Sequence, residues 1–136
     1  MSSIYSEIIL DYYRYPRNKG QLSGPQVKAK DSNPLCGDVI EIQMELDSDS
    51  HVKDIRFNGQ GCAISQASAS MLTELVKGKS LDEVRKISKE DILSLIGGQL
   101  SAVRLKCALF SLKVLKTGLY TYLGSLDGSK EELSSL

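Results

Sequence analysis

A chain of 136 residues has the size of one domain and is long enough to bury a core without disulfide support. Its 17 basic and 17 acidic residues cancel, which excludes the electrostatic footprint of a protein built for nucleic acid or an anionic membrane surface. No apolar run reaches membrane-spanning length, and Met1-Ser2-Ser3 leads into an amphipathic stretch with no basic n-region or small-residue cleavage site, so a soluble cytoplasmic protein is expected.

Ile4, Ile8, Ile9 and Tyr12 recur at helical spacing and predict an amphipathic helix over 3–14, closed by Tyr15-Pro16-Arg17-Asn18-Lys19-Gly20. Val27 to Lys30 is a candidate strand. From Asp38 to Leu46 the chain alternates, with Ile40, Ile42, Met44 and Leu46 on one side and Glu41, Gln43 and Glu45 on the other. That is a half-buried strand. Asp47-Ser48-Asp49-Ser50 is a turn, and Val52 to Phe57 the returning strand of a hairpin. After Cys62 the period becomes helical through Ile64, Ala67, Met71, Leu72, Leu75 and Val76, with Gly78 as the stop. Ser80 with Glu83 and Ser88 with Asp91 read as capping boxes of two short helices. A long helix is expected over 101–123, with Val103, Cys107, Phe110 and Val114 as its apolar stripe. Residues 1–124 form the domain, and the Ser-, Gly- and Glu-rich residues 125–136 read as a mobile tail. No internal repeat is visible. Strands first and helices after predict an α+β fold, a small three-stranded antiparallel sheet with helices packed on one face.

The whole cysteine complement is Cys36, Cys62 and Cys107, an odd number that cannot close a disulfide framework. Asp38 stands two residues after the first. Three thiolates and a carboxylate can complete a four-coordinate site for a soft or borderline metal, or hold one edge of an iron–sulfur cluster. Cys36 lies between Pro34 and Gly37, in a loop before the alternating strand; a turn with a small buried cysteine is the alternative. Cys62 follows Gly59-Gln60-Gly61 at the start of a helix, where the dipole favours a thiolate. Cys107 sits in the apolar stripe of the last helix and, taken alone, reads as core. Asp38 is either a ligand or the first residue of its strand. The single histidine, His51, flanks the hairpin turn, so a cysteine hydrolase would lack a well-placed base. A purely structural zinc domain is a further alternative.

The motifs around these residues resemble the U-type iron–sulfur cluster assembly scaffolds, the family of IscU, the NifU N-terminal domain and SufU. The likeness runs from about Ile4 to Leu119 and rests on Tyr13-Arg14-Tyr15-Pro16-Arg17-Asn18, Asn33-Pro34-Leu35-Cys36-Gly37-Asp38, Gly61-Cys62-Ala63-Ile64-Ser65, Lys77-Gly78-Lys79-Ser80 and Arg104-Leu105-Lys106-Cys107-Ala108. The resemblance implies a scaffold for assembly and transfer of clusters. Cys36, Cys62 and Cys107 would receive sulfur or bind the nascent cluster, with Asp38 as a fourth, exchangeable ligand. It implies a transient [2Fe–2S] cluster as cargo, a cysteine desulfurase as sulfur donor, and apo iron–sulfur proteins as acceptors; a homodimer is compatible with it. A SufU-like member would instead hold Zn2+ and relay persulfide sulfur as a sulfurtransferase.

Two departures bear on that choice. Scaffold members carry histidine before the third cysteine, and Lys106 stands here, as in the SufU group. At helical spacing Lys106 shares a face with Lys113, which favours a solvated lysine over a ligand. The chain is too short between Cys62 and Cys107 for the insertion that SufU members carry. Leu100-Ser101-Ala102-Val103-Arg104 replaces the Leu-Pro-Pro-Val-Lys segment read by the dedicated chaperone of the IscU system, which puts that partner in doubt. Tyr5, Tyr12, Tyr13 and Tyr15 are expected to pack the first helix or to face a partner, and Arg17 to lie on the surface or to contact a partner.

Overall fold

The computed structural model describes residues 3–33, 37–97 and 100–127, and within them the side chains of 7–124. Helix α1 (Ser3–Arg14) opens the chain. Strands β1 (Val27–Asn33), β2 (Asp38–Leu46) and β3 (Val52–Gln60) follow. Then come helices α2 (Ala63–Val76), α3 (Leu81–Arg85), α4 (Lys89–Ile96) and α5 (Ala102–Asp127).

The strands form one antiparallel sheet in the order β1-β2-β3. Alternation fixes its faces, since a slip of one residue would turn every apolar side chain outward. Asp38, Ile40, Ile42, Met44 and Leu46 of β2 are buried on one side, and Ile55 and Phe57 of β3 join them. Asn33 pairs with Asp38 and Val39 with Gln60. The end of β1, the start of β2 and the end of β3 therefore meet at one edge of the sheet, with the carboxylate of Asp38 ending an otherwise apolar inward row.

Helices α2 and α5 cover that inward face and pack on each other. Leu72 and Val76 of α2 and Leu115 and Leu119 of α5 are fully buried, each a gain of roughly 1.5–3 kcal/mol over exposure. Helix α5 approaches β1 closely at Gly118, where an added Cβ would stand 2.8 Å from the Ala29 Cβ. Both capping boxes form: Ser80 accepts from the Glu83 N–H and Ser88 from the Asp91 N–H, and each acid reaches back to its cap's backbone.

Residues 15–26 carry no periodic pattern, yet they are held on both sides. Lys19 bridges Phe57 in parallel fashion, and Gly20 N–H and Phe57 N–H exchange bonds with Phe57 O and Asn18 O, covering the outer edge of β3. Arg17 N–H donates to Ser70 Oγ and Asn18 Nδ2 to Thr73 Oγ1 on α2. On the other side of the sheet, Leu22 N–H donates to the buried Gln43 Oε1. Gln26 donates to Leu46 O and accepts from Leu46 N–H, mimicking a strand.

Several expectations change. β1 runs three residues past Lys30 and β3 three past Phe57, because both continue pairing with β2. The C-cap of α2 is Lys77; Gly78 follows at φ +90° and donates its N–H to Val52 O. Val103 is 58% exposed and so is no part of the stripe that buries Cys107, Phe110 and Val114. It lies in the first turn of α5, where few elements pack. Tyr12 packs as expected, whereas Tyr13 and Tyr15 are exposed. Helix α5 continues to Asp127, past the expected boundary at 124, and the remaining tail residues 128–136 lie outside the described residues. Among the described residues, no helix is long and apolar enough to cross a membrane.

Candidate metal centre

Asp38 is fully buried at the sheet end. Its Oδ1 accepts the Cys62 N–H at 2.9 Å, so the start of β2 holds the start of α2. Its Oδ2 is buried with no hydrogen-bond donor among the described residues. Leaving a buried carboxylate oxygen unsatisfied costs about 1–3 kcal/mol or more, and a cation beside it removes that cost. Gly61 makes the approach possible. An added Cβ there would stand 2.0 Å from Asp38 Oδ1, and its φ of +153° disfavours a side chain as well.

Cys62 is the N-cap of α2. The Ser65 N–H points at its Sγ at 3.4 Å, and the Ser65 hydroxyl donates to Cys62 O at 3.1 Å. The residue is half-buried and reachable. Cys107 arrives from the opposite side, buried on the inward face of α5 near its N-terminus. One turn into α2, the Ser68 hydroxyl donates to Ala108 O and fixes α5 against α2 at this level.

These three residues, distant in sequence, offer ligand atoms that all lie within 4.8 Å of one another. Sulfurs sharing a tetrahedral zinc with bonds of ~2.3 Å stand roughly 3.7 Å apart, so small side-chain rotations close the set around one ion. Two cysteine sulfurs and a carboxylate suit zinc or iron–sulfur chemistry better than magnesium or calcium, which select all-oxygen shells. The orphaned Asp38 Oδ2 and the donor chemistry both fit a bound cation. Cys36 lies outside the described residues; Gly37 N–H donates to Asn33 O at 2.8 Å, closing the β1–β2 connection at this same end.

Lys106, next to Cys107 in the chain, is exposed, in keeping with a solvated lysine. His51 sits at the far end of the nine-residue β2, roughly 27 Å from Asp38 at ~3.3 Å per residue, and cannot act as a base on Cys62. Its Nδ1 lies 3.9 Å from Asp47 Oδ1 instead. Arg17 is tied back to the preceding helix α1, 2.7 Å from Asp11 Oδ2 and stacked 4.0 Å over the Tyr12 ring. The steric demand at Gly61 and the Ser65 amide were not singled out by the sequence reasoning; the Cys-x-x-Ser spacing of an N-cap and its N3 residue was the available signal.

The NifU-like N-terminal domain family matches residues 4–127. The chain is 38% identical over 135 residues to the zinc-dependent sulfurtransferase SufU of Bacillus subtilis, covering 87% of this chain and 90% of that one. It is 34% identical over 121 residues to the iron–sulfur cluster assembly scaffold protein IscU of Escherichia coli, covering 87% and 93%. Among solved structures, a candidate iron–sulfur cluster assembly scaffold of the SUF system from Fervidobacterium islandicum superposes with a TM-score of 0.73 at 28% identity, covering 86% of this chain and 97% of that one. The fold, the three ordered motifs and these matches agree, and the chain belongs to the NifU-like N-terminal domain family.

Proposed function

We propose that this protein is a scaffold on which iron–sulfur clusters are assembled and from which they are handed to acceptor proteins. The observation that carries the reading is the convergence of Asp38, Cys62 and Cys107 on one point, with a buried carboxylate oxygen that has no donor. Cys36 would complete the ligand set. A cysteine desulfurase supplies the sulfur: a thiolate of the scaffold attacks the outer sulfur of the desulfurase persulfide and displaces the desulfurase thiolate. Cys62 is the more accessible of the two described cysteines. A carboxylate is a weaker ligand for a cluster than a thiolate, so Asp38 suits cargo that must leave. A pair of chains around one cluster is compatible with this ligand set, and the mass of the loaded protein tests it. The segment Leu100–Arg104 departs from the one that the dedicated chaperone reads, so that partner stays in doubt.

The test is anaerobic. Metal-stripped protein is mixed with ferrous iron, cysteine and a cysteine desulfurase, and the visible spectrum of wild type is compared with that of Cys107→Ser. A cluster chromophore in wild type that is lost in the variant is expected; none in either would overturn the reading.

A second reading, a zinc-dependent sulfur relay, is favoured by the likeness to SufU and by Lys106. Alignment length argues the other way. The SufU alignment spans 135 residues and the IscU alignment 121, yet both take in 87% of this chain, so SufU carries an extra segment lacking here. The relay predicts that zinc-loaded protein accelerates desulfurase turnover while no cluster accumulates.

A further inference from the structure

Beside the candidate metal centre runs an open cavity of about 310 Å³, lined by Ser32 and Asn33 at the end of β1 and by Lys106, Leu109, Phe110 and Lys113 of α5. It touches the centre twice. Asn33 pairs with Asp38 across the sheet, and Lys106 precedes Cys107. Leu109 and Phe110 give an apolar floor. Lys106 and Lys113, seven residues apart on one helix, stand on one side of it, and both are exposed. Among the described residues no carboxylate pairs with either ammonium, whereas Lys28, Lys53, Lys77 and Lys86 all have acidic neighbours. Among the described residues, no acidic one lines the cavity. A cavity with two unpaired cations over an apolar floor calls for an anionic ligand with an apolar body.

We propose that this groove docks an extended acidic–apolar segment of the protein that exchanges sulfur or cluster with the site; the partner's role rests on the scaffold reading above. The geometry sets the pattern. Two helical turns separate the lysines by about 10 Å along α5. In an extended segment, residues i, i+2 and i+4 share a face and span about 13 Å. Long lysine side chains absorb the difference. The motif is therefore acid-x-apolar-x-acid, with the apolar side chain on Leu109 and Phe110 and an acid at each ammonium. Lys106 thereby acquires a role that does not require it to ligate metal, and a docked segment would lie directly beside Cys107.

The probe is an acetylated, amidated peptide Glu-Ser-Leu-Ser-Glu, titrated into the full chain while amide NMR signals are followed. Two exposed ion pairs and one apolar contact predict weak, millimolar-range binding that falls with added salt. Shifts should centre on Ser32, Asn33 and the residues from Lys106 to Lys113. In the Lys106→Glu/Lys113→Glu variant the peptide should bind about tenfold more weakly, and a Lys-Ser-Leu-Ser-Lys peptide should bind in its place. Shifts centred elsewhere, binding indifferent to the charge reversal, or equal binding by free glutarate (a small dicarboxylate with no apolar anchor) would overturn the proposal. Cobalt(II) absorption of the same variant separates this result from the site itself, because the ligand residues are unchanged.

Discussion

The carboxylate of Asp38 ends the inward row that Ile40, Ile42 and Met44 continue, and its two oxygens face different tasks. Oδ1 holds the Cys62 amide, and Oδ2 is buried without a donor. Asp38→Asn keeps the shape and an oxygen for Cys62 but removes the charge. Its affinity for cobalt(II) should fall by about tenfold or more while its thermal midpoint stays within a few degrees, checked by absorption titration and by melting. Gly61→Ala acts differently: a Cβ 2.0 Å from Asp38 Oδ1 must push the carboxylate off the amide. It should lower both metal affinity and stability, the latter by about 1–3 kcal/mol, read by the same two measurements. Cys62, Cys107 and Asp38 were legible in the sequence because their residue types carry chemistry. That they share a site was read from their residue types and strengthened by family resemblance, but no local pattern announces the Asp38–Cys62 bond, which spans 24 residues. The clearance at Gly61 was not legible, since a glycine before a helix has many causes.

At the scale of elements, the Tyr12 hydroxyl ties α1 to α2 by donating to Glu74 Oε1 at 2.7 Å. That hydrogen bond, with burial and the Glu74 charge, raises the Tyr12 pKa above its usual value of about 10, against the opposing charge of Arg17. A raised folded-state pKa contributes stability that is present below the ordinary tyrosine value and lost as pH rises through the folded one. The thermal midpoint should therefore fall as pH rises above about 10 in wild type, and by less in Tyr12→Phe. The short helices depend on their caps. Ser88→Ala should cost about 1 kcal/mol by chemical denaturation. In the other box, bonds from the Ser80 backbone and side chain hold the Glu83 carboxylate below the usual range. Its contribution is present above the ordinary carboxylate value and is lost as pH falls through the lowered one. The boxes and the alternating strands were readable because local chemistry determines them. The path of residues 15–26 was not, because its partners on α2, β2 and β3 are distant in sequence.

For the whole molecule, the sheet and the α2–α5 layer form a continuous apolar core. Removing metal with a chelator should leave the far-UV circular dichroism largely unchanged, whereas a purely structural zinc domain would unfold. The packing order followed from the sequence because β-period and helix-period segments are cleanly separated along the chain. Val103 escaped that logic, since period alone does not say how far neighbouring elements reach along a helix. The central claim is that Asp38, Cys62 and Cys107 form one exchangeable ligand site, and cobalt(II) titration of the metal-stripped protein tests it most directly. Sulfur-to-cobalt charge-transfer and tetrahedral ligand-field bands should saturate at one ion per chain. They should weaken in Cys62→Ser and in Cys107→Ser alike. Absence of a charge-transfer band, or bands indifferent to both substitutions, would contradict the account.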